Sequence, residues 1–285
     1  RLEYSYLLAR WNIAPRVSVA YKFPDNSQAS FAYGIFYQAP ESKYLPALVN
    51  NLKYAKATHY ILQYQRTGNK RTFRTELFYK EYDNLFKTAS NGNNNVAASN
   101  KGYGYARGIE VFWRDKTTIK NLDYWISYSY LDTKRDYLNY PNAIQPNFAA
   151  KHTSSLVVKK FVLPWKLGIN ASYTYASGRP YYQFVPVQGE NNAAIKDHGR
   201  TIDYNALGFS LNYLPNLGKQ KAKAFTVFVL SVSNVFGQKN IFSYNYGTIV
   251  DHKVPVVPPS KRFVYIGCFI SYGIDQTENA INNNL

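Results

Sequence analysis

Apolar and polar residues alternate along most of this chain. Between Trp165 and Tyr175, the residues Trp165, Leu167, Ile169, Ala171, Tyr173 and Tyr175 fall on one side, and Lys166, Gly168, Asn170, Ser172 and Thr174 on the other. A two-residue period with one apolar and one polar side predicts a β-strand between two different surroundings. The same period predicts strands at Val17–Phe23, Ala29–Tyr37, Tyr60–Tyr64, Phe73–Tyr79, Ile109–Trp113, Leu122–Tyr130, Leu207–Tyr213, Phe225–Phe236 and Arg262–Tyr272. His152–Phe161 is a weaker strand, mixed on both faces. The reading is all-β, with about eleven strands and the end of another at Arg1–Ala9.

The connections discriminate between the folds that alternation allows. They run short, long, short, long. Pro24-Asp25-Asn26, Thr67–Lys70, Lys116–Lys120, Leu163-Pro164 and Pro215–Lys223 are the short ones. Ala39–Lys56, Lys87–Lys101, Asp132–Ala150, Gly178–Thr201 and the stretch ending near Ser260 are the long ones. Short turns on one side and long loops on the other predict a transmembrane antiparallel up-and-down β-barrel. The strand lengths suit the roughly 9–11 residues of a tilted bilayer crossing better than the ~5–6 of a sandwich. A soluble β-protein is the alternative, and it requires no detergent.

Composition adds three points. Aromatic residues make up 17% of the chain, with 28 tyrosines, whose apolar ring and polar tip suit a membrane–water interface. Mean hydropathy is −0.39, and no apolar run approaches the ~18 residues of a transmembrane helix. The net charge of +17 raises nucleic acid as a partner. The basic residues are scattered over turns and polar strand faces, however, and no nucleic-acid motif accompanies them, so a basic lumen or rim is the simpler account. The one cysteine, Cys268, lies in the last strand as a packing residue. The lack of Met, the first residue Arg1 and the odd strand count lead us to expect a fragment, with further strands elsewhere.

Several stretches resemble the C-terminal barrel half of a TonB-dependent outer-membrane receptor, of the kind common in Bacteroidota. They are IAPRVSVAYKF, FAYGIFYQAPESKYL, LKYAKATHYILQYQR, FRTELFYKEYDNLF, ARGIEVFWRDK, HTSSLVVKKF, YTYASGRPYY, SVSNVFGQKNIFSYNYG and PSKRFVYIG, in that order between Ile13 and Tyr272. SVSNVFGQKN is the strongest of them. The resemblance implies that residues 1–273 supply about half of a 22-stranded barrel, with the plug domain and first strands absent from this chain. It implies a bacterial outer membrane location and energy delivered through TonB, contacted by a missing N-terminal part. It also implies outer-membrane lipids and an imported small-molecule ligand as partners, and allows a surface lipoprotein. Residues 274–285 form a polar, Asn-rich tail beyond Tyr272, the counterpart of the family's terminal aromatic.

No catalytic constellation, metal motif or cofactor motif emerges, and no enzyme activity is expected. His59, His152, His198 and His252 lie far apart in sequence, the last two in long connections where they could meet a ligand or metal. GYGYARG lacks the following helix of a phosphate loop, and its glycines read as relief of crowding at a loop-to-strand junction. Arg74, Glu76, Lys80, Glu110, Arg114, Asp123 and Lys166 should face the lumen, pairing with one another or with the plug, because a charge in mid-membrane lipid is costly. Ligand contacts are expected from loops and strand exits: Gln38 and Tyr44, then Arg179, Tyr181, Tyr182 and Gln183, then Asn240, Tyr244 and Tyr246. The expected function is active import of a scarce ligand. An iron-siderophore or other iron chelate leads, with haem, cobalamin, oligosaccharide and peptide open. The alternatives are a passive porin or adhesin barrel and an outer-membrane enzyme.

Overall fold

A computed structural model describes residues 1–5, 10–39, 52–91, 94–186, 193–219, 224–246 and 252–273. Tyr44 and the tail from 274 lie outside the described residues. The strands are β1 (Leu2–Ser5), β2 (Arg10–Ile13), β3 (Arg16–Lys22), β4 (Ser27–Gln38), β5 (Ala55–Gly68), β6 (Arg71–Asn91), β7 (Asn94–Asp115), β8 (Leu122–Asp136), β9 (His152–Val162), β10 (Leu167–Ala176), β11 (Pro180–Pro186), β12 (Ala193–Arg200), β13 (Tyr204–Tyr213), β14 (Ala224–Ser233), β15 (Ser243–Tyr246), β16 (Lys253–Val256) and β17 (Phe263–Tyr272).

Eleven of them form one antiparallel sheet, in the order β17-β14-β13-β10-β9-β8-β7-β6-β5-β4-β3. Each sheet strand pairs with the sheet strands next to it in the chain, which is the up-and-down pattern. The eleven predicted strands correspond to these eleven, and the weak one at His152–Phe161 is regular β9. The other six make three separate hairpins, β1–β2, β11–β12 and β15–β16. Leu2–Ser5 thus pairs with Arg10–Ile13 instead of ending a barrel strand.

Register carries the apolar side across the sheet. Val19 faces Phe31, Phe31 faces Leu62, Leu62 faces Leu77 and Leu77 faces Ile109. Farther on, Ile126, Leu156, Tyr173 and Leu207 form one row, and Leu211, Leu230 and Ile266 another. These side chains are uncovered: Leu62 is 52% exposed and Ile266 79%. An apolar face this large would drive aggregation in water, whereas hydrocarbon is its natural solvent. Aromatic rings border it. Tyr33, Tyr60 and Tyr79 succeed one another at 5.3 and 6.3 Å toward the long connections. Tyr64, Phe73 and Trp113 follow at 6.2 and 6.4 Å toward the short turns, with Tyr213 stacked on Phe228 farther round. Cys268, opposite Phe228, belongs to this apolar face.

Two sequence expectations change. The stretch Lys87–Lys101 is largely strand, because β6 and β7 run 21 and 22 residues. Their register shifts between Tyr82 and Thr88, and Asn84 takes positive φ there. Gly102, Gly104 and Gly108 therefore sit inside β7, not at its start. A Cβ on Gly108 would overlap the Tyr130 carbonyl and lie 2.7 Å from the Phe78 ring, and one on Gly104 would lie 2.5 Å from the Lys134 carbonyl. The second change is at Trp165 and Lys166. A 3₁₀ turn occupies Leu163–Trp165, and Lys166 adopts the left-handed conformation (φ 51°) before β10 begins. Its Nζ donates to the Pro215 carbonyl at 3.3 Å.

Candidate functional site

The polar side of the sheet runs opposite the apolar face. Arg74, Glu76, Lys80, Glu110, Arg114 and Asp123 all share it, since alternation and register place them in successive opposed rows. Glu76 stands directly opposite Glu110. Lys166 lies in its turn, apart from these rows. Arg74, Glu110, Phe112, Ser127, Ser129 and Thr153 border a shallow depression here, whose far wall is small and hydroxylated.

The short-turn end is bound by carboxylates. Arg114 makes a two-pronged contact with Asp123, Nε to Oδ1 at 2.9 Å and Nη2 to Oδ2 at 2.6 Å, and Lys116 is 3.7 Å away. Asp115 accepts from the backbone N–H groups of Thr117 and Thr118, at 2.7 and 2.9 Å, and from Arg71 at 2.9 Å. Both carboxylates are buried, and the arginines that pair with them reach out toward solvent. Beside them Phe161, Leu214 and Leu217 form a small apolar core with Phe225 and Val227. This end holds turns in place by pairing Asp115 and Asp123 with arginines.

The long-connection end gathers the predicted contact residues. Tyr181 on β11 and Tyr244 on β15 meet edge to face at 4.7 Å. Lys253 on β16 covers both rings, with Nζ 4.4 and 4.8 Å from their centroids, and donates to the Tyr181 hydroxyl at 2.6 Å. Tyr246 donates to Asp197 on β12 at 2.7 Å. The Tyr246 hydrogen bond holds the Asp197 carboxyl below its usual range, with lesser help from Lys253. The bond to Tyr181 pushes the Lys253 ammonium up. Tyr182 donates to the Gln145 carbonyl at 2.9 Å, and Arg200 donates to Gln145 Oε1 at 2.7 Å. Three long connections, far apart in sequence, are thereby tied into one cap.

The cap includes Tyr181, Tyr182, Tyr244 and Tyr246 of the predicted set, and Gln183 lies between its partners on β11. The Arg179 N–H donates to Thr201 Oγ1 at 3.0 Å and its carbonyl accepts from the Thr201 N–H at 2.9 Å, which sets the entry to β11. Gln38 is exposed at the end of β4. Asn240 is a correction. It is 4% exposed, and its amide bonds the Asn205 backbone in both directions at 3.1 Å, so no face of it is open to a ligand. Lys253, Asp197, Arg200 and Gln145 were missed. Each is a polar residue in a long connection, and only pairing between hairpins distinguishes it.

The cap has a testable acid and alkaline limit. Lowering of the Asp197 pKa stabilises the contact above the ordinary carboxylate range and is lost as pH falls through the lowered value. Raising of the Lys253 pKa stabilises it below the ordinary lysine value and is lost as pH climbs through the raised one. Hydrogen exchange in β12 and β15 should be protected equally from pH 5 to 9. Tyr246→Phe should accelerate it in both hairpins together; acceleration in one alone would show that they are not coupled.

The family model described as TonB dependent receptor-like, beta-barrel matches residues 2–235. The chain belongs to this family. It is therefore part of a receptor barrel of the outer membrane, with its apolar face toward lipid. Among solved structures, the outer membrane transporter YddB from Escherichia coli superposes with a TM-score of 0.71 at 14% identity, covering 94% of this chain and 42% of that one. The FrpB iron transporter from Neisseria meningitidis gives 0.68 at 15%, with 91% and 39% covered. The ferric yersiniabactin uptake receptor FyuA from Yersinia pestis gives 0.68 at 14%, with 92% and 38%. At these identities the likeness is one of fold, and the chain spans about two fifths of each receptor's length. No curated protein matches the chain.

Proposed function

We propose that the protein containing this chain is an active importer driven through TonB, and that it takes up an iron chelate. The observation that carries this reading is the cap: Tyr181, Tyr244, Lys253 and Arg200, held by cross-hairpin contacts over the long-connection end of a receptor barrel. Such an arrangement offers aromatic surface and positive charge to a ligand at low ordering cost, because the side chains are already positioned. The iron-linked names of FrpB and FyuA support the choice of ligand class. The polar face then lines the barrel interior, where Arg74, Glu76, Lys80, Glu110, Arg114 and Asp123 meet the plug. Strands outside this chain complete the barrel, since β3 and β17 each pair on one side among the described residues and open edges in lipid cost several kcal/mol per group. The ligand passes chemically unchanged.

Deletion of the full gene should impair growth on ferric chelates as sole iron source, and loss of TonB should impair it equally. Growth unaffected by TonB would favour a passive barrel. A defect on glycans or peptides in place of iron would move the ligand class within the same mechanism.

A further inference from the structure

Arg135 is the penultimate residue of β8, on the polar face opposite Gly104 and at the long-connection end. Its guanidinium carbon stands 4.3 Å from the Tyr82 ring centroid, 5.5 Å from Phe148 and 6.0 Å from Tyr137. Tyr82 comes from β6, and Tyr137 and Phe148 from the long connection after β8. Gly104 leaves the space that the arginine stem occupies, since a Cβ there would lie 3.0 Å from Arg135 Cγ. The backbone of Arg135 is fixed by paired bonds with Ile144 at 2.9 and 3.2 Å. The rings and the space at Gly104 thus position the side chain, which remains partly exposed.

Its Nε atom is buried and has no hydrogen-bond partner among the described residues. The neighbouring carboxylate, Asp136, is taken by Lys87, which also donates to the Tyr140 carbonyl. By contrast, Arg66, Arg71, Arg107 and Arg114 each pair with an aspartate and Arg1 pairs with Glu3. A buried donor left unmade costs about 1–3 kcal/mol. Ring contacts satisfy the faces of the guanidinium but not its N–H groups, which lie in its plane.

We infer that Arg135 is the anchor for an anionic group, a carboxylate or phosphate on the incoming ligand, received at the top of the polar face under the cap. The planar fork presents parallel N–H donors that match two oxygens of such a group, and the three rings keep it from collapsing onto a wall. The inference rests on the polar face being the barrel interior; it does not require that the ligand carry iron or that TonB drive its passage.

The test is equilibrium binding of citrate and of inorganic pyrophosphate to the full-length receptor purified in detergent. Wild type should bind at least one of them saturably. Arg135→Ala should weaken that binding about tenfold or more, the loss of one charge-assisted hydrogen bond. Arg135→Lys, which keeps the charge and a chain able to lie on the rings, should also weaken it several-fold, because an ammonium cannot form the fork. Lys120→Ala, an exposed turn residue at the other end, removes the same charge and should stay within twofold of wild type. Each variant should retain the slower gel mobility change on boiling that marks a closed barrel. No saturable binding by wild type, or equal binding by Arg135→Ala, would overturn the inference. Lysine matching arginine would also overturn it, reducing the site to general positive charge. Binding that survives in a receptor showing no TonB-linked uptake would remove the import reading and leave the anion site standing.

Discussion

Leu230→Arg is expected to destabilise the folded barrel by about 2–4 kcal/mol, the cost of a cation on the lipid face near the bilayer centre, while Ser231→Arg is expected to be tolerated. The two positions are adjacent on β14. Leu230 lies between Leu211 and Ile266 in an apolar row, and Ser231 between Ser210 and Tyr265 on the other side. Composition and strand propensity barely distinguish the two variants, so only the direction of the side chain separates them. Urea titration of the purified full-length receptor, followed by the mobility difference between boiled and unboiled samples, measures the effect. Similar midpoints for both variants would show that the assignment of the faces is wrong.

Asn234→Ala is expected to cost about 3 kcal/mol, from three hydrogen bonds worth ~1 kcal/mol each. Asn234 Nδ2 donates to the Gln238 carbonyl at 2.8 Å and to the Lys261 carbonyl at 2.7 Å, and Oδ1 accepts from the Gln238 N–H at 3.1 Å. The residue is 8% exposed and sits in the left-handed region at φ 50°, which Asn tolerates better than Ala. Through these bonds one side chain joins the turn after β14 to the segment entering β17. Asn234→Gly should be less harmful than Asn234→Ala, since it loses the bonds but keeps the backbone conformation at no steric cost. Equal effects would mean that the conformation contributes nothing. The result also bears on the motif SVSNVFGQKN, the strongest part of the family resemblance: Asn234 and Asn240 both spend their amides on backbone, so here the motif builds the turn and not a ligand contact.

The strands were legible because two solvents act on them. Lipid on one side and a polar interior on the other impose a strict two-residue period, as in Leu207–Tyr213 or Leu122–Tyr130, and a slip of one residue would invert both faces. Where that contrast ends, the period fades. The alternation is lost in the Asn- and Gly-rich sequence from Lys87 to Lys101, which reads as loop although β6 extends to Asn91 and β7 begins at Asn94. Lys166 was placed on a strand because lysine carries no signal for left-handed backbone; its conformation follows from the Leu163-Pro164 turn before it. For the site, tyrosine-rich strand exits pointed to β11 and β15. Lys253 and Asp197 did not stand out, since their meaning comes from a contact between hairpins. Arg135 is the sharper case: Tyr82 and Phe148 lie far from it in sequence and reach it only through the β6–β7 and β7–β8 registers and the return of the long connection.

The most direct test of the account is membrane fractionation of the full-length protein, with electrophoretic mobility compared before and after boiling. An outer-membrane band whose mobility shifts on boiling is the predicted result, because a closed barrel resists detergent until heat unfolds it. A protein recovered in the soluble fraction, with the same mobility in both samples, would contradict the assignment of the apolar face to lipid and every functional conclusion built on it.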